Sequence, residues 1–135
     1  MPARPVWLVL LLLTAAPASA QMLPSGAWSG TLTGADGEAH RAQAVIERCA
    51  TGFTLALTVD GRTATVPETA PATWRRGQLR FTTSRLRLPG TLVPRPLACR
   101  LEADDEGGLS GVCTSGVRRV RLRLAPPADG VLGCD

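Results

Sequence analysis

The sequence predicts an all-β fold, a single antiparallel up-and-down meander of about eight strands that closes into a barrel, with a β-sandwich as the alternative. Two observations predict it. Apolar and polar residues alternate with period two over nearly the whole chain after residue 21, and no stretch has the spacing of an amphipathic helix. Gly, Asp and Pro separate the alternating segments, as tight turns require. Consecutive hairpins close into a barrel in chain order, which removes exposed sheet edges.

Residues 1–20 have the pattern of a cleavable export signal. Arg4 supplies the positive charge, residues 6–13 form an apolar run, and Ala18-Ser19-Ala20 provides small residues for cleavage. The apolar run is too short to span a bilayer, so we expect no membrane span. The sequence thus predicts a signal peptide over 1–20, a single β-barrel domain over 21–135, and a periplasmic or secreted location.

The first half of the domain contains four predicted strands. They cover residues 26–33, 41–48, 53–59 and 62–66. Asp60-Gly61 between the last two is a strong hairpin signal. This turn places Ala64 opposite Leu57, so that both arms of the hairpin present apolar residues to the same face.

The second half contains shorter predicted strands. They begin at Trp74 and continue at residues 79–83, 84–88, 97–101, 109–113 and 117–124. Pro94 and Pro96 cannot donate fully to a ladder, so the segment around them belongs at an edge or in a loop.

The four cysteines predict two disulfides, because an even number of cysteines enters an oxidising compartment. If residues 105–107 form a three-residue hairpin loop with Gly107 in the left-handed position, Cys99 lies directly opposite Cys113. Cys49 then pairs with Cys134, although the two other connectivities stay open. No C-x-x-C spacing occurs, so we expect neither a metal site nor a cofactor.

The positive charge is concentrated in the second half of the chain. All 15 basic residues are Arg, and residues 75–123 contain eleven of them against four acids. Strand alternation directs five away from the apolar face: Arg80, Arg87, Arg119, Arg121 and Arg123. Such a basic wall would attract an anionic envelope polymer or anionic lipid head groups. The alternative is a solubilising surface in an Arg-biased sequence.

Catalysis and nucleic-acid binding are both disfavoured. His40 is the only histidine, and no base accompanies a candidate nucleophile. The acids at residues 104–106 are typical of a solvated hairpin tip. Few aromatic residues are available to stack on bases. We therefore expect a binding protein rather than an enzyme.

The tripeptide Gly26-Ala27-Trp28 resembles the G-x-W opening of lipocalins and related calycin barrels. The resemblance implies that Trp28 closes the barrel floor and that an arginine of the last strand packs across it. It also suggests a carrier of a small apolar molecule. The candidate ligand-contacting residues are Trp28, Leu55, Leu57, Phe81, Leu101 and Leu122.

Small residues on predicted inward faces, such as Ala44, Ala64 and Gly111, would make room for that ligand. A core filled by side chains is the alternative to a cavity. Two further functions stay open besides the carrier. One is an inhibitor or binding module for an exported protein, with a flexible segment 21–25 entering a cleft. The other is an envelope-associated domain that uses the basic wall.

Overall fold

Strands and turns make up the part of the chain that the structure describes. The computed structural model describes residues 23–49 and 52–128, and the regular structure within these ranges is β-strand. The strands are β1 (Gly26–Thr33), β2 (Ala39–Cys49), β3 (Gly52–Val59), β4 (Arg62–Thr65), β5 (Thr73–Arg75), β6 (Gln78–Thr82), β7 (Ala98–Ala103), β8 (Leu109–Ser115) and β9 (Arg118–Ala125). The predicted all-β fold is confirmed. The predicted leader, residues 1–20, lies outside the described residues.

All nine strands belong to one curled sheet that forms a half-barrel. Its order is β4-β3-β2-β1-β9-β8-β7-β6-β5, and each neighbouring pair is antiparallel. Strands adjacent in the chain are paired throughout, apart from β4 and β5, and the first strand pairs with the last through Leu32 and Leu122. The up-and-down connectivity is therefore confirmed. The strands form one sheet, not the two packed sheets of the alternative β-sandwich. The described residues include no helix with the length and hydrophobicity needed to cross a membrane.

The strand at one end of this order, β4, contacts the chain that leaves β6. The backbone N–H of Ser84 donates to the carbonyl oxygen of Thr65 at 2.7 Å. The backbone N–H of Thr65 donates in turn to Oγ of Ser84 at 3.3 Å. The chain leaving β6 thus contacts the end of β4, which joins the two halves of the curled sheet.

The inward side chains form one hydrophobic core. Strand alternation directs every second residue inward, so β9 buries Val120, Leu122 and Leu124 while the arginines between them are exposed. The most deeply buried members include Ala44, Ile46, Leu57, Val59, Leu79, Leu97, Leu101 and Cys113. One core draws on both halves of the chain, as expected for a single domain.

Two predicted hairpin registers are confirmed. Leu57 pairs with Ala64 across the β3–β4 hairpin, and Cys99 pairs with Cys113 across β7 and β8. These two cysteines form a disulfide, with their Cα atoms 4.0 Å apart. The predicted Cys49–Cys134 disulfide lies outside the described residues, because nothing is described of Cys134 or of the Cys49 side chain.

The strand predicted over residues 84–88 is wrong. Residues 83–97 form an excursion in which a single bridge joins Leu86 to Arg95. Proline supplies the physical reason, since Pro94 and Pro96 have no N–H to donate and Pro89-Gly90 turns the chain. Leu86 and Leu88 are nevertheless buried in the core, so the base of the excursion is firmly packed.

A candidate anion-binding groove on the outer face

The six predicted ligand-contacting residues all lie within the hydrophobic core. Trp28, Leu55, Leu57, Phe81, Leu101 and Leu122 are buried together with the other inward side chains. The indole N–H of Trp28 donates to the carbonyl oxygen of Pro24 at 3.0 Å. These side chains therefore pack as predicted for an inward face, and a role for them in holding a ligand stays a prediction.

The arginine contact implied by the calycin resemblance is not formed. Arg119, Arg121 and Arg123 alternate with buried residues of β9 and are exposed, and Arg118 lies at the start of β9. Trp28 lies near the other end of this strand, since Gly30 pairs with Leu124. Arg123 lies near the same end, but it is exposed on the face of the sheet opposite to buried Trp28.

Residues 23–25 are anchored to the sheet instead of extending freely. Leu23 is buried in the core, and Oγ of buried Ser25 accepts a hydrogen bond from the backbone N–H of Arg48 at 3.0 Å. The expectation of a flexible segment 21–25 is thus wrong for its described part.

A groove of about 990 Å³ runs over the outer face of β6, β7, β8 and β9. Ala70 and Pro71, which precede β5, form one wall. The floor is formed by side chains that point away from the core, and they include Thr82, Ala98, Val112 and Thr114. The groove therefore lies on the outer face of the sheet, and the core residues Phe81 and Cys99 border it.

Four arginines line this groove: Arg80, Arg100, Arg119 and Arg121. Arg80 on β6 pairs directly with Arg100 on β7, and Arg100 pairs with Val112 on β8. Val112 pairs in turn with Arg121 on β9. Arg80, Arg100 and Arg121 consequently form one row across four strands, and Arg119 lies next to it on β9.

The guanidinium groups of this row are available to an external anion. Among the described residues, none of the four groove arginines forms an ion pair; the recorded pair joins His40 to Asp60. Nε of Arg80 donates to Oε1 of Gln78 at 2.7 Å, which orients the side chain and uses one of the five N–H donors of a guanidinium.

The acidic residues at the groove leave its positive charge in excess. Glu102 and Asp104 are the acids in its lining. Oδ1 of Asp104 already accepts hydrogen bonds from the backbone N–H groups of Glu106 and Gly108, at 2.9 and 2.8 Å. Asp104 thus holds its hairpin turn, and the groove has a net positive charge.

The structure divides the predicted basic face. Arg80, Arg119 and Arg121 line the groove, whereas Arg123 is exposed one row away, where it pairs with Ser110 and Thr31. Arg87 is half-buried in the excursion, outside the groove lining. Arg100 was not among the predicted residues. Its position between inward Cys99 and Leu101 was the signal that could have identified it.

The described residues offer little else for chemistry. Nδ1 of His40 lies 2.9 Å from Oδ2 of Asp60, a contact that links β2 to the β3–β4 turn. Within residues 23–49 and 52–128, no group of three or more His, Cys, Asp or Glu side chains could hold a metal ion.

Comparisons of the chain with models of protein families, with curated proteins and with solved structures found no match.

Proposed function

We propose that this protein binds an anionic polymer along the arginine groove on its outer face. The observation that carries the proposal is the row of Arg80, Arg100 and Arg121, which has no ion-pair partner among the described residues. Guanidinium groups form bidentate hydrogen bonds with carboxylate, phosphate and sulfate groups. A row of them therefore suits a ligand with several such groups.

The spacing of the row supports a repeating ligand rather than a single ion. Neighbouring strands are about 4.8 Å apart, so the backbone positions of Arg80 and Arg121, three strands apart, are separated by roughly 14 Å. An isolated small anion spans a fraction of that length. A polymer with successive charged groups can contact the whole row.

Repulsion within the row is a second argument. Like charges directly opposite each other on adjacent strands destabilise a sheet, and Arg80 faces Arg100 in this way. A bound polyanion would offset that repulsion. The pair is therefore more readily explained by ligand binding than by stability.

The remaining lining favours an acidic polysaccharide over a nucleic acid. Thr73, Thr82 and Thr114 add hydroxyl groups that can exchange hydrogen bonds with sugar hydroxyls. Phe81 is the aromatic residue of the lining, and it is buried, so it offers no exposed ring on which a base could stack.

The test compares two double variants that remove the same charge. Arg80→Gln/Arg100→Gln changes the groove, and Arg41→Gln/Arg62→Gln changes two exposed arginines on β2 and β4. Titration with dextran sulfate by isothermal calorimetry should show at least about a tenfold loss of affinity for the groove variant, since charge-assisted hydrogen bonds are each worth about 1.5–3 kcal/mol. The control variant should bind nearly as the wild type does.

Equal losses in the two variants would contradict the proposal, because they would show attraction to net charge alone. Binding that does not weaken as salt is raised would also contradict it, since exposed charges are screened over about 10 Å at 0.1 M salt. The predicted carrier and inhibitor functions stay predictions.

A further inference from the structure

A second surface differs from the groove in being apolar as well as basic. The exposed large apolar side chains of the described residues are Val45, Leu92, Val93 and Val117. Leu92 and Val93 are 89% and 58% exposed at the tip of the excursion 83–97, and Val117 is 100% exposed in the β8–β9 turn. Burial of apolar side chains that are exposed to this extent would be energetically favourable.

The excursion and the β8–β9 turn are in contact through the Arg95 side chain. Arg95 packs against the β8–β9 turn, where its Nη1 would lie 3.4 Å from a Cβ atom placed on Gly116. Leu92 and Val93 shortly precede Arg95 in the chain, and Val117 immediately follows Gly116. The contact therefore brings the excursion and the turn together into one rim, which we define as Arg85, Leu92, Val93, Arg95, Val117 and Arg118.

The base of the excursion is held in place. Leu86 and Leu88 are buried in the core, and the backbone N–H and Oγ1 of Thr91 both donate to the carbonyl oxygen of Leu88, at 3.1 and 2.7 Å. The apolar tip is thus presented from a packed base, and little ordering would be required when it binds.

The two segments that form the rim carry positive charge only. Residues 83–97 contain three arginines and residues 115–119 contain two, and neither segment contains an acid. At the same end of the sheet, Asp36, Glu38 and Asp60 belong to the β1–β2 and β3–β4 turns. The acidic turn of residues 104–106 lies at the opposite end of β7 and β8.

We infer that this rim docks the protein onto an anionic lipid surface, with Leu92, Val93 and Val117 entering the headgroup region and the surrounding arginines contacting lipid phosphates. Apolar side chains within a basic surround are the combination that binds such interfaces. Three side chains on two loop tips offer too little area for a stable protein interface, which buries about 800 Å² on each partner. The rim shares no residue with the arginine row, so the inference goes beyond the proposed function.

Vesicle binding tests the inference with a matched control. Leu92→Ser/Val93→Ser/Val117→Ser removes the apolar tip without touching the core, and Val45→Ser removes an exposed valine on β2. Vesicles of equal parts phosphatidylglycerol and phosphatidylcholine should sediment with the wild type and with Val45→Ser. The triple variant should bind at least about tenfold more weakly, because burial of apolar side chains in the headgroup region supplies much of the affinity for a membrane surface.

A second readout reports insertion directly. The emission of a Leu92→Trp variant should shift to shorter wavelength when these vesicles are added, and it should stay unchanged with phosphatidylcholine vesicles alone. Equal vesicle binding by the triple variant and the wild type would overturn the inference, as would an absence of binding by the wild type. Loss of vesicle binding in Arg80→Gln/Arg100→Gln but not in the triple variant would assign the lipid contact to the groove and overturn it too.

Discussion

Two glycines on inward faces mark the places where strand backbones approach too closely for any side chain. A Cβ atom on Gly30 would collide with the carbonyl oxygen of Arg123, and a Cβ atom on Gly111 would collide with that of Arg100. Gly111 is one of the small inward residues that would either make room for a ligand or belong to a filled core. The contacts favour the second interpretation at this position, because the backbone of β7 occupies the space that a side chain would need.

Gly111→Ala should therefore lower the free energy of unfolding by about 1–3 kcal/mol, the usual cost of overpacking. Thr114→Ala changes an exposed residue of the same strand and should stay within about 0.5 kcal/mol of the wild type. Urea denaturation followed by circular dichroism measures both. A Gly111→Ala variant as stable as the wild type would show that β7 and β8 are not so close.

Among the elements, the β7–β8 hairpin links the core to the groove. Its inward face contributes Cys99, Leu101 and Cys113 to the core, and its outward face contributes Arg100 and Val112 to the groove floor. The disulfide joins directly opposed residues, so it fixes the register on which the outward row depends. A one-residue slip would direct Arg100 inward and Leu101 outward.

Tryptic peptide mapping under non-reducing conditions should recover residues 88–100 linked to residues 101–118, the product of the Cys99–Cys113 bond. Reduction of the Cys99–Cys113 disulfide in the folded protein should lower the free energy of unfolding by about 3 kcal/mol, the chain-entropy value for a loop of about 15 residues. A link between residues 49–62 and 124–135 would confirm the second predicted disulfide. Any peptide joining Cys99 to another partner would contradict the register described here.

At the scale of the whole molecule, the pairing of the first strand with the last makes the sheet one unit. β1 lies between β2 and β9, and the Thr65–Ser84 contacts join β4 to the chain that leaves β6. Positive charge is distributed unevenly along the chain, since residues 75–123 carry eleven of the 15 basic residues. Both proposed binding surfaces belong to that basic part, and the shared core holds them in fixed relation.

A sheet organised in this way should unfold in one cooperative transition. Trp28 reports on β1, and Trp74 reports on β5 at the far end of the strand order. In a Trp74→Phe variant, the fluorescence of Trp28 and the far-ultraviolet circular dichroism should give coincident urea midpoints, as two-state unfolding requires. Separate midpoints would show that the halves of the sheet unfold independently.

Strands with strict alternation were predictable because the period of two specifies both the element and its buried face. The β3–β4 and β7–β8 registers followed from their turn residues, and Cys99 opposite Cys113 followed from the second. Residues 84–88 also alternate, yet they form no strand, since alternation cannot reveal whether a neighbouring strand is present to pair with. The rim could not be predicted for a similar reason, as the Arg95–Gly116 contact joins two segments that are distant in the chain.

The sequence by itself determined the all-β class, the order of the hairpins, one disulfide and the outward direction of the β9 arginines, because each depends on local alternation and turn chemistry. Only the tertiary structure decided that Arg80, Arg100 and Arg121 form one row, that the groove lies on the outer face of the sheet, and that the excursion contacts the β8–β9 turn through Arg95. These features arise from strand register and sheet curvature, which depend on how distant segments pack together.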